Sequence, residues 1–178
     1  MARETAPPGT DGGCKQVSLL FSRYSDPMGR VVSHITRKGF SHVSISLEDD
    51  PAVFYSFNTK GFAIEKPLKH DPRTRLPGSA LVQLRIPSAS YAALEKEVEF
   101  FLRNRSRFSY SHLGVLLGVL RLPLKRAGRY YCSQFVAELL GRAGAMELDK
   151  DASLYLPAHL FRQVVRDPSA VRVVNGWV

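Results

Sequence analysis

Cysteine is scarce in this chain: Cys14 and Cys132 are the only two in 178 residues. A disulfide framework is therefore not what holds the fold, and a lone internal cysteine becomes a candidate nucleophile. Long apolar runs are also missing. The longest, Leu113–Leu120, stops at Arg121, whereas a membrane-spanning helix needs about 20 apolar residues. No apolar stretch follows the first charges, as a secretion signal would require; these absences set the expectation of a cytoplasmic protein. His34, His70, His112 and His159 show no ligand spacing with one another or with a cysteine pair, so no metal site and no cofactor are expected.

What is present is an ordinary core-forming composition, 44% hydrophobic and 10% aromatic, with a net charge of +9. The length fits one domain. Residues 1–14, rich in proline and glycine, read as a disordered tail, and 15–178 as a single domain. The positive balance favours anionic partners or serves solubility. No nucleic-acid module surrounds the scattered basic residues, so nucleic acid is not the expected partner.

Gln16–Phe21 reads as a buried strand. A helix is expected from Ser25-Asp26-Pro27 through Met28, Val31, Val32 and Ile35, closed by Gly39. Phe40–Leu47 alternates as a strand, with Ser41, Val43, Ile45 and Leu47 on one face and Phe40, His42, Ser44 and Ser46 on the other. Val53–Asn58 and Phe62–Lys66 follow as strands, Lys69–Gly78 as a loop and Ala80–Ile86 as a further strand. The next helix has the stripe Tyr91, Leu94, Val98 and Phe101. Ser111–Leu122 is apolar, but Gly114 and Gly118 weaken it as a regular helix. A basic loop, Arg121–Arg129, precedes a helix that opens at Cys132; Pro157–Val165 is the last helix and Val171–Val174 the last strand. Clustered strands with helices before and after them predict an α+β fold, an antiparallel sheet packed against helices.

A thiolate attacks where a thiol does not, and either a helix N-terminus or a neighbouring imidazolium can lower the thiol pKa. Tyr130-Tyr131-Cys132-Ser133-Gln134-Phe135 places sulfur at a helix start, where backbone N–H groups can also hold an oxyanion. His42 is the candidate base, beside Ser44 and Ser46, which are small enough to admit a helix end.

Gly39-Phe40-Ser41-His42-Val43-Ser44-Ile45-Ser46-Leu47 resembles the histidine strand of the NlpC-type branch of papain-like hydrolases. Tyr131-Cys132-Ser133-Gln134-Phe135-Val136-Ala137-Glu138-Leu139-Leu140 resembles its nucleophile helix. Histidine before cysteine is the order of the circularly permuted members, the lecithin–retinol acyltransferase-like proteins among them. The resemblance implies a permuted papain-like fold and a cysteine hydrolase or acyl transferase. Its substrates would be amides, peptide or isopeptide, or the ester bonds of lipid acyl groups.

It also implies a polar residue that orients the imidazole from the neighbouring strand. Ser56 aligns with that position; Glu65, one strand further, is the substitute. Tyr110, Tyr130, Tyr131 and Ser133 are the oxyanion and substrate-binding candidates. The alternative is a non-catalytic ligand-binding module that keeps the fold. The Leu113–Leu124 segment reads as a core helix and a solvated loop, although with Arg121, Lys125 and Arg126 beside it an anionic lipid surface would also suit it.

Overall fold

Val17, Leu19 and Phe21 alternate with Ser18, Leu20 and Ser22 along strand β1 (Cys14–Tyr24), and both rows are buried. A strand reads this way when each face of its sheet is covered. This is a computed structural model, describing residues 13–24, 34, 39–49, 51–67 and 75–176. The expected helix from Ser25 to Ile35 lies, apart from His34, outside the described residues, as do residues 1–12 of the expected tail. Cys14 is not tail: it pairs with Pro87 at the start of β1.

Around β1 are built β2 (His42–Ser46), β3 (Phe54–Asn58), β4 (Gly61–Glu65), β5 (Arg75–Pro87) and β8 (Ala170–Asn175). They form one antiparallel sheet in the order β4-β3-β2-β1-β5-β8. β5 begins inside the segment expected to be a loop, because backbone pairing with β1 runs on to Tyr24 and Arg75. Glu48 shapes the β2–β3 turn, its carboxylate accepting from the N–H groups of Ala52 and Val53 at 2.9 and 3.0 Å.

Helices α1 (Ser88–Arg103), α3 (Cys132–Arg142) and α4 (Pro157–Val164) cover one face of the sheet. Val17, Leu19 and Phe21 of β1, Val43 and Ile45 of β2 and Phe57 of β3 meet Leu94, Val98, Phe101, Phe135, Val136 and Leu160 there. Each such side chain contributes roughly 1.5–3 kcal/mol by leaving water. Aromatic rings concentrate at one end of this layer: Phe57 lies 5.2 Å from both Phe135 and Tyr130 between ring centroids. The opposite face is built differently. Leu20, Phe54 and Leu81 form a small apolar cluster, and the rest is small and polar, with Ser18, Ser22, Ser44, Ser46 and Ser56 all buried.

Phe40 departs from the face expected for it. It packs on Phe21 and Phe161, on the helix side, while His42 pairs with Ser22 in the ladder. The chain enters β2 only at His42, so strict alternation does not extend back to residue 40.

Two further short strands, β6 (Ser109–Tyr110) and β7 (Arg129–Tyr130), pair in parallel and bracket α2 (His112–Val119). Gly61, at φ 104°, closes the β3–β4 hairpin; a Cβ there would lie 2.8 Å from the Phe108 carbonyl oxygen. Glycine is required both by the backbone conformation and by that close approach. The β6–β7 arm is thereby seated at the end of the sheet where β2 begins.

Candidate active site

His42 opens β2 and Glu65 closes β4, two strands away and at the opposite end of the ladder. Their side chains nonetheless meet: His42 Nε2 donates to Glu65 Oε1 at 2.9 Å and to Oε2 at 3.1 Å. Both residues are buried. The contact runs diagonally across the serine-lined face, over β3, and Ser56 lies on that diagonal. A large residue at position 56 would stand between the partners. Ser56 instead donates its hydroxyl to the Val43 carbonyl at 2.7 Å and lies below the pair. Of the two orienting candidates, the carboxylate that meets the imidazole is therefore Glu65. With Nε2 protonated against a carboxylate, Nδ1 is the basic nitrogen of the neutral ring.

Cys132 is the first residue of α3 and its neighbour Tyr131 the extended N-cap; no side chain among the described residues caps the helix. The first N–H groups of a helix have no acceptor within it and carry the positive end of its dipole. Cys132 is only 4% exposed and belongs to the main apolar cluster. Tyr130 and Phe135, on either side of it in sequence, both pack on Phe57. Antiparallel register from the Ile45–Tyr55 pair sets Phe57 beside Val43, next in sequence to His42. The start of α3 and the start of β2 thus share one end of the sheet.

One expectation about that approach is corrected. The helix layer lies over Val43 and Ile45, not over Ser44 and Ser46. The small serines do not make room for α3; they line the face over which His42 reaches Glu65. Ser22 and Ser44 flank the imidazole there, and their buried hydroxyls have no hydrogen-bond partner among the described residues. The residue pattern Ser-His-Val-Ser already contained Ser44; Ser22 needed the strand pairing.

The tyrosine and serine candidates separate by their partners. Tyr131 is buried and donates its hydroxyl to the Ser153 carbonyl at 2.7 Å. Burial, reinforced by Cys132 and Asp151, pushes its phenol far above the ordinary range. It is a strut, with its proton already committed. Ser133 likewise donates to the Tyr155 carbonyl at 2.5 Å. Tyr130 is half-buried in the aromatic cluster; burial and Glu138 raise its pKa, while Arg142, bonded to its hydroxyl, opposes the rise. Tyr110 is half-buried with its ring 4.9 Å from that of His112.

Among the described residues, no three His, Cys, Asp or Glu side chains gather as a metal site. Nor is any helix there long and apolar enough to cross a membrane. Compared with known proteins, the chain matches no family model and no curated protein sequence.

Proposed function

We propose that the protein is a cysteine-nucleophile acyl-transfer enzyme of the permuted NlpC-like kind, and the His42–Glu65 pair carries the reading. A buried carboxylate held on Nε2 is what a histidine needs to act as a base through Nδ1 and to carry charge once protonated. His42 takes the Cys132 proton at the end of the sheet where β2 and α3 both begin. The thiolate adds to an amide or lipid-ester carbonyl, and N–H groups at the start of α3 hold the oxyanion. Collapse of the adduct expels the amine or alcohol, which leaves with the proton from His42. Water or a second acceptor then releases the acyl group from sulfur.

A second reading, a ligand-binding module, is favoured by two observations. Cys132 lies within hydrocarbon, and α3 covers the face of Val43 and Ile45 while His42 leans to the other. Labelling with amide- and ester-based acylating probes separates the two. Because Cys14 is exposed, the measurement is made in a Cys14→Ser background. An enzyme labels at Cys132 far faster than a free thiol at neutral pH, and His42→Ala slows it by about 10²–10⁴. Labelling at the rate of a free thiol, or unchanged by His42→Ala, overturns the acyl-transfer reading.

A further inference from the structure

Helix α2 is turned inside out. Its buried residues are Gly114, Val115 and Gly118, whereas Leu113, Leu116, Leu120 and the following Leu122 are between 46% and 59% exposed. A helix on a protein surface ordinarily places its large apolar residues inward. Here the inward side has no room for them: a Cβ on Gly114 would lie 3.2 Å from the Tyr131 ring, and one on Gly118 would lie 3.1 Å from the Tyr131 hydroxyl. The glycines are thus explained by packing. Nothing in the fold explains outward leucines, since polar residues would occupy solvent at no cost.

Charge identifies what covers them. Arg121, Arg126 and Arg129 are exposed around the same segment, and none forms an ion pair among the described residues. Lys125 already binds Asp151 at 3.0 Å. Arg121 is held at φ 59°, a conformation unfavourable for a non-glycine residue. From there it opposes the protonation of Lys150 and His159, with Asp149 beside Lys150 acting the other way.

We infer that the outward leucines of α2 and the arginines beside them form a face that docks on an anionic membrane, leucines entering the interface and arginines meeting headgroup phosphates. α2 is too short to span a bilayer and lies in its plane. The inference uses no residue of the candidate active site and stands independently of it.

The test is sedimentation of the full chain with vesicles of phosphatidylserine and phosphatidylcholine, against phosphatidylcholine alone. Binding is expected only to the anionic vesicles. It should weaken on the order of tenfold per leucine in Leu116→Ser and Leu120→Ser, and about fivefold per charge in Arg126→Gln and Arg129→Gln. These positions are exposed, so unchanged melting confirms that each variant is folded. Cys132→Ala should bind as the parent does, even if it abolishes probe labelling. Absence of binding to anionic vesicles overturns the inference. So does loss on charge removal alone, which would mean adsorption without insertion, or a self-association that the leucine variants abolish without vesicle binding.

Discussion

His42 and His159 sit in opposite electrostatic surroundings. His42 is buried against a carboxylate that contacts its Nε2 with both oxygens. His159, half-buried on α4, faces Lys150, Arg162 and Arg121; burial first, then these cations, push its pKa down, opposed by a bond to the Leu154 backbone. One histidine has a partner that stabilises its charged form, the other has neighbours that oppose it. Burial alone therefore does not mark a histidine as a base; the sign of the charge it faces does.

Removing the carboxylate breaks this contrast most severely. Glu65→Ala leaves His42 without its acceptor and should cost about 3–5 kcal/mol, the range for splitting a buried pair, measured by urea denaturation. Glu65→Gln retains an acceptor oxygen and should cost less than half as much. A loss no larger than that of an exposed carboxylate would mean that the pair does not hold the sheet together.

Tyr131→Phe comes next. It deletes the bond to the Ser153 carbonyl and should cost about 1–3 kcal/mol because that carbonyl is left unpaired. Labelling at Cys132 should be unaffected; a fall in labelling rate without a fall in stability would restore Tyr131 as an oxyanion donor.

The second histidine makes a smaller, pH-dependent contribution. Its folded-state pKa is depressed, so the unfolded chain takes the proton more readily. Stability from this site is therefore complete above the unfolded value of about 6.5 and declines as pH falls through the lower, folded value. His159→Gln should flatten that decline. Arg162→Met should move the folded pKa upward in an NMR titration, toward the ordinary value. A downward movement would mean that the cations do not act on the ring.

The smallest effect belongs to the serine face. Ser44→Ala removes a buried hydroxyl with no partner among the described residues and should change stability by no more than about 0.5 kcal/mol.

Local features were readable in the residues. Of the expected stripe, Leu94, Val98 and Phe101 are buried in α1 and Tyr91 is half-buried, and Cys132 is the first residue of its helix. The final strand encloses its expected span, Val171–Val174. The glycine pair Gly114 and Gly118 is a weakness in an isolated helix. Between α2 and Tyr131 it is instead what permits contact. The leucines beside them were expected in the core, and that expectation fails for the same reason. Ser56 and Glu65 could not be ranked from sequence, since only the diagonal across β3 brings Glu65 over Ser56 to His42.

Periodicity and local punctuation alone determined that this chain has strands around residues 17 and 43, a helix beginning at a cysteine, and a histidine within a strand. Those properties depend on neighbours a few residues apart. Tertiary structure alone decided which carboxylate meets that histidine, which sheet face the helices cover, and which side of α2 meets water. Each of these depends on strand order and on the layer that packs above, contacts between residues whose separation along the chain says nothing about their distance in space.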